Sequence, residues 1–264
     1  MPELQRVALG MEYDGSAFCG WQTQPGGCAV QDCLEKALAL VHGGPVRTIT
    51  AGRTDAGVHA IGQVVHFDAW NPRPESAWVR GVNAHLPAGI SVLWARQVGP
   101  AFDARRGALE RCYRYVLLNR AVRPALLAGK VGWLHGDLDL AAMTEGAGHL
   151  LGTHDFSAFR AAECQARTPV RDLRTATVVR QGAFVVFEFR ANAFLHHQVR
   201  NMVGALVWVG LGRRPPDWIG ELLVSRDRAR GAATFAPDGL YLVEVKYDPA
   251  WGLPVGGGIM PVLP

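Results

Sequence analysis

An α+β fold of two tandem β-α-β-β-α-β halves, ferredoxin-like or RRM-like with antiparallel or mixed sheets, is predicted by three features of this 264-residue sequence. The length exceeds one typical domain and suits two of roughly 100 to 150 residues each. Short β-branched runs alternate with the period of two expected of half-buried strands, and segments whose apolar residues recur at threes and fours lie between them. The same element order returns after residue 110, without any residue-level repeat. The halves are expected to be a domain 1–103 and a domain 104–264, with the candidate site in a cleft between them.

In the first half, residues 6–13 read as a strand ended by Asp14-Gly15. Phe18 to Gln22 follow as a loop, in which Trp21 is expected to cover the core rather than stack outside it. Val30, Cys33, Leu34, Ala37, Leu38 and Val41 give a helix over 30–41 one apolar face, and Gly43-Gly44-Pro45 stops it. Residues 46–51 and 61–69 are the next strands. A helix over 75–86, after the proline stop at 72–74, and a strand over 90–98 complete the set. In the second half the pattern predicts a strand at 110–119, a helix at 138–151, and strands at 173–180 and 183–190 joined by Gln181-Gly182. A helix over 194–211, a short one over 216–224 beginning with proline, and a closing strand at 240–247 follow. The tail from Pro249 holds too much proline and glycine for a packed element.

Composition narrows the class. Hydrophobic residues make up 49% of the chain, ample for two cores. No apolar run approaches the roughly 18 to 20 residues of a membrane span, and the longest candidate, 202–211, follows Arg200. Glu3 and Arg6 soon give way to the first strand, so a signal peptide is not expected, and the chain reads as soluble and cytoplasmic. Cys19, Cys28, Cys33, Cys112 and Cys164 are scattered with no Cys-x-x-Cys pair, which predicts neither a disulfide framework nor a zinc site. His196-His197 is the lone histidine doublet, and sequence neighbours rarely present two ligands to one metal, so no metal site is expected. Of the 27 Lys and Arg residues only Lys36, Lys130 and Lys246 are lysines. That bias suits RNA, since arginine forks match phosphates and stack on bases, and it equally suits a GC-rich genome.

The densest signal is Thr-Ala-Gly-Arg-Thr-Asp-Ala-Gly-Val-His-Ala at 50–60, a turn of small residues between two strands. Gly52 and Gly57 bracket one carboxylate, Asp55, and leave room for a ligand to approach the backbone. Arg53, two residues away, projects to the same side in extended backbone and would favour the ionised acid. Thr-Asp-Ala-Gly is also ordinary turn chemistry, with Asp bonding its own backbone. Phe102-Asp103-Ala104-Arg105-Arg106 joins the halves with adjacent arginines beside one ring, suited to a phosphate track or to a solvated linker. Arg111, Tyr113 and Tyr115 share one face of the 110–119 strand. Glu163-Cys164-Gln165-Ala166-Arg167 lies in a polar loop with aromatics upstream. Asn192 to Gly204, containing His196-His197-Gln198-Val199-Arg200-Asn201, opens the long helix.

The run Gly52-Arg53-Thr54-Asp55-Ala56-Gly57-Val58-His59-Ala60 resembles the active-site stretch of the TruA-type tRNA pseudouridine synthases, and 192–204 is similar to a second motif of that family. The resemblance implies that Asp55 is the catalytic acid, that Arg200 pairs with it and Arg53 supports it, and that Tyr113 packs on the target base. It also implies tRNA contacts for Phe102, Asp103, Ala104, Arg105 and Arg106, and for Glu163, Cys164, Gln165, Ala166 and Arg167. The family often has a hydroxyl residue where Ala29 stands, which touches helix capping rather than chemistry. The implied reaction detaches uracil N1 from ribose C1′, turns the base and rejoins it through C5. Nothing is oxidised, so no cofactor is expected. Asp55 would attack C1′ or take the 2′ proton to form a glycal; the sequence leaves both open. The implied target is the 3′ side of the tRNA anticodon stem-loop, and the implied working unit a homodimer. Two other readings are a passive tandem RNA-binding protein, against which the missing RNP1-type aromatic strand counts, and an Asp-dependent glycoside hydrolase, which lacks a second acid near Asp55.

Overall fold

The computed structural model describes residues 4–254 and 260. In order, its elements are β1 (Gln5–Tyr13), α1 (Val30–His42), β2 (Ile49–Thr50), β3 (His59–Ala69), α2 (Glu75–Asn83), β4 (Ile90–Val98) and β5 (Glu110–Asn119). Then come β6 (Gly132–Leu134), α3 (Leu140–Gly148), β7 (Gly152–Asp155), β8 (Val170–Gln181), β9 (Phe184–Ala191), α4 (Gln198–Gly210), α5 (Trp218–Ser225) and β10 (Leu240–Lys246). The fold is α+β. The chain divides into two compact units, Met1–Leu109 with Tyr241–Pro264, and Glu110–Leu240. The expected boundary after residue 103 assigned everything later to the second half. The closing strand instead groups with the first unit, because Tyr241 and Leu242 pair in parallel with His59 and Ala60.

The strands of the first unit run in the order β4-β1-β3-β10, with β2 as a short flank on β3. β1 pairs antiparallel with both β3 and β4 and shifts register between Met11 and Tyr13 against β3. Alternation sorts β3 between two layers, as a period of two requires. Phe67 meets Trp78 of α2 edge-on at 5.1 Å, while His66 faces Phe102 at 5.8 Å. On that second side Ala8, Val64, Phe102, Ala104 and Tyr247 form a core against which Trp94, Trp251 and Leu253 pack. The expectation of an unpacked tail from Pro249 therefore fails for its first residues: Pro249–Trp251 form a 3₁₀ turn capped by Asp248, and Trp251 meets Phe102 at 5.2 Å. The rest of that tail, 255–259 and 261–264, lies outside the described residues.

Helix α1 keeps the predicted apolar face, with Val30, Leu34, Ala37 and Leu38 buried. Its missing hydroxyl cap is offset from the other direction: the Asp32 carboxylate accepts the Ala29 N–H at 3.1 Å, half of a capping box. Cys19 and Cys28 form a disulfide, with Cα atoms 5.5 Å apart, which corrects the expectation that no cysteines pair. The spacing carried no signal, because the pairing depends on a loop folding back on itself through the Cys19 N–H to Cys28 C=O bond of 3.1 Å.

In the second unit the order is β5-β9-β8-β7, with β6 parallel on β5. β8 and β9 form the expected hairpin, and β5 pairs antiparallel with β9 from Arg111↔Ala191 to Leu118↔Phe184. Helix α3 packs on β8 and α4. α4 starts at Gln198 rather than 194, since its N-cap His197 takes φ 61°, a left-handed conformation that sets where the helix can begin. β6 and β7, of three and four residues, are additions to the predicted plan. No helix among the described residues is long and apolar enough to cross a membrane.

Candidate active site

Asp55 is half-buried on a loop that opens at Ala51 and ends in a turn, Val58 N–H to Asp55 C=O at 3.1 Å, with Gly57 at φ 81°. The loop is held from beneath by neutral groups. The Tyr13 hydroxyl lies 2.8 Å from the Thr54 hydroxyl, and the Gln63 amide donates to the Gly52 carbonyl at 2.7 Å and to the Tyr13 oxygen at 3.3 Å. Burial pushes the Tyr13 phenol up to about 12, so it stays protonated and able to donate at any physiological pH.

A second loop presses on the first. Trp21 N–H donates to Thr54 C=O at 2.9 Å, and a Cβ on Gly20 would stand 2.8 Å from that oxygen and 3.0 Å from the Ala56 nitrogen. Only glycine, here at φ 91°, lets the chain come so close. The disulfide closes this second loop, and Trp21, 1% exposed, covers the core as expected. His59, the motif histidine, is buried; its Nδ1 accepts the Gly15 N–H at 3.1 Å and its ring stacks on Tyr241 at 4.6 Å. His59 therefore secures the start of β3 and the returning β10.

Arg53 is exposed, and its pKa is lowered by partial burial and by Arg105, with no carboxylate among the groups that shift it. Residues 52–58 form a loop outside every strand, so no sheet ladder enforces the expected alternation of Arg53 and Asp55. What the fold gives Arg53 instead is a cationic neighbour. Asp103 Oδ1 accepts the N–H groups of Arg105 and Arg106, each at 2.8 Å, and leaves both side chains exposed. Burial pushes Asp103 up, but those two bonds and the charges of His66 and Arg106 hold it below the usual carboxylate range.

Within the expected contact segment 102–106, Phe102 is corrected. It is 0% exposed, between His66, Tyr247 and Trp251, and cannot stack on a base. Ala104 is equally buried, its N–H on His66 Nδ1 at 3.0 Å. Arg105 and Arg106 are the exposed members. Sequence could not separate a stacking ring from a core ring here, because Tyr247 and Trp251, which close over Phe102, stand at the far end of the chain.

In the second unit Tyr113 is 8% exposed and meets the Phe194 ring edge-on at 5.2 Å. Arg200, on the first turn of α4, is half-buried and donates through Nε to the Phe235 carbonyl at 2.8 Å. In the 163–167 segment Glu163, Gln165 and Arg167 are exposed, Ala166 is half-buried and Cys164 is buried. Arg160 shapes this loop by donating to the Cys164 and Ala166 carbonyls. Sequence reasoning gave no role to Arg160, nor to Arg111 and Arg171, the last two of which are buried and hydrogen-bonded to carbonyls of Asn192, Thr168 and Val170. For Arg111 and Arg171 the only advance signal was arginine at otherwise apolar strand positions, and Arg160 sits in a loop with none.

With one acid on a constrained loop of the first unit, and an aromatic ring and a braced arginine in the second, the comparison with known proteins is decisive. A family profile described as tRNA pseudouridine synthase matches residues 10–105 and 147–248. The chain belongs to this family. Relatives named tRNA pseudouridine synthase A agree over nearly the whole length. That of Methylobacillus flagellatus is 59% identical over 249 residues, covering 94% of this chain and 95% of the relative. Those of Thiobacillus denitrificans and Dechloromonas aromatica are 56% and 58% identical, over 95% and 94% of this chain and 96% and 95% of their own. The chain is accordingly an isomerase, and the first motif, 52–60, lies inside the matched region.

Proposed function

We propose that this protein converts uridine to pseudouridine in the anticodon stem-loop of tRNA, with Asp55 as the catalytic carboxylate. The observation that carries this is a lone acid held on a loop whose backbone is fixed on both sides, in a chain of the tRNA pseudouridine synthase family. The C1′–N1 bond breaks, the base turns, C1′ bonds to C5, and the C5 proton leaves. Asp55 either adds to C1′ or removes the 2′ proton. Arg200 is the cation that pairs with it; at an effective dielectric near 20, charges about 4 Å apart attract by roughly 4 kcal/mol. Arg53, beside Arg105, serves the RNA backbone as well as the acid. Tyr113 stacks on the detached uracil, a contact worth about 1 to 3 kcal/mol, and Phe194 braces its edge.

Arg105 and Arg106, with Glu163, Gln165 and Arg167, form the exposed tRNA contacts, and the enzyme acts in the cytoplasm as a homodimer. The target nucleotide must leave its stack, at a cost of a few kcal/mol that is least near a flexible loop. The test uses tRNA tritiated at uridine C5. Tritium release without loss of base is expected, and Asp55→Asn is expected to abolish release while tRNA binding survives. Free uracil would mean hydrolysis, and binding without release a passive RNA-binding protein; either would overturn the proposal.

A further inference from the structure

Arg200 stands on the first turn of α4, and the segment 228–236 is strapped along the same helix at three points and to β5 at a fourth. The first is the arginine itself: Arg200 Nε donates to Phe235 C=O at 2.8 Å, and Phe235 N–H returns a bond to Arg200 C=O at 3.3 Å. Next to it in sequence, Asn201 is 2% exposed, and its Oδ1 accepts from the Thr234 hydroxyl at 2.7 Å and from Arg228 Nη2 at 3.0 Å. Arg228 Nη2 also reaches the Thr234 hydroxyl at 3.2 Å, and Asn201 Nδ2 donates to Phe159 C=O at 2.8 Å. One helical turn on, a Cβ at Gly204 would stand 2.5 Å from the Ala233 carbonyl, so the strap and the helix touch there through bare backbone. Finally, the Tyr115 hydroxyl donates to Ala236 C=O at 2.9 Å, and its ring meets Phe235 edge-on at 5.6 Å.

We propose that Asn201, Thr234 and Arg228 are positioning residues for the isomerisation: they fix the strap, and the strap fixes the direction of the Arg200 guanidinium. The inference rests on the reading of Arg200 given above. A guanidinium on a flexible stem takes many orientations in water. Committing Nε to one carbonyl orients the planar fork, and hence Nη1 and Nη2, only if that carbonyl is itself immobile. Asn201 supplies the immobility, since its buried amide cannot release Thr234 or Phe159 without losing hydrogen bonds that no water replaces. Arg228 is half-buried with a pKa lowered by burial, a placement that makes sense for a bridging fork and would be wasteful for a solvated charge.

The experiment measures kcat, the KM for tRNA and thermal stability on the full chain. Thr234→Val keeps shape and removes the hydroxyl. It is expected to lower kcat by about 10-fold or more, with KM within about threefold and melting temperature within about 2 °C. Thr234→Ser should restore the rate. Gly204→Ala improves intrinsic helix propensity while displacing the Ala233 carbonyl, and should also slow turnover without touching substrate. In an Arg200→Ala background Thr234→Val should cost nothing further, because the two act as one unit. Full kcat in both Thr234→Val and Gly204→Ala, or an additive loss in the double variant, would overturn the positioning role alone. Wild-type turnover in Arg200→Ala itself would overturn the reading of Arg200 together with it.

Discussion

The loop that carries Asp55 is fixed by neutral groups, namely Tyr13, Thr54, Gln63 and the backbone of Gly20 and Trp21. The second unit is built the other way round, around cations. On its sheet Arg114, Arg174 and Arg190 are matched by Glu188, Asp172 and Glu110. By contrast Arg171 of β8, and Arg160 and Arg228 outside the strands, are held by carbonyl, amide and hydroxyl oxygens, which orient a guanidinium without cancelling its charge. The difference teaches that one chain can use both kinds of bond: the first unit fixes the loop of its acid with uncharged groups, and the second holds several arginines by oxygen atoms that leave their positive charge in place.

The largest test of this contrast is the acid itself. Asp55→Asn preserves the shape of the loop and should reduce turnover by at least about 10³-fold, in the range of lost acid–base or nucleophilic chemistry, with an unchanged melting curve. A melting temperature lowered by several degrees would instead make the carboxylate part of the scaffold. Arg200→Lys should cost about 10²-fold in kcat, because an ammonium cannot donate to Phe235 C=O and present a planar fork at the same time. Steady-state kinetics with tRNA would show this as a loss in kcat and not in KM.

Reduction of Cys19–Cys28, or Cys28→Ser, removes the one covalent tie in the first unit. Loop closure over nine residues predicts a loss of up to about 3 kcal/mol in urea unfolding, with activity at 25 °C largely retained because the backbone bonds of Trp21 persist. The smallest effect concerns pH. Burial raises the Glu188 carboxyl, but Arg190 and Arg114 hold it below its usual value overall. A depressed folded pKa means that the contribution is present above the unfolded value, about 4.3, and is lost as pH falls through the folded one. Glu188→Gln should therefore flatten the acid limb of the stability curve and leave stability above pH 6 as the only difference between the two proteins.

Much of this was legible from residue patterns. The apolar spacing from Val30 to Val41 gave α1, and Ile90 to Val98 gave β4 to the residue. Asp55, Arg200 and Tyr113 were singled out by a resemblance to family motifs, not by periodicity. What stayed hidden depends on distant partners. Phe102 beside two arginines looks like a recognition ring until Tyr247 and Trp251 close over it. Cys19 and Cys28 look unrelated until the loop turns back, and β10 looks like the end of the second half until it pairs with β3. The alternation that placed Arg53 beside Asp55 presumes a strand, and 52–58 lie outside every strand.

The return of β10 to β3 has a consequence for how the chain is made. A nascent polypeptide emerges at about 5 to 20 residues per second, so the sheet bearing the acid waits for residues 241–246 after everything from 110 to 240 has already left the ribosome. The middle of the chain is free to collapse first, and the half that holds Asp55 is the one completed last.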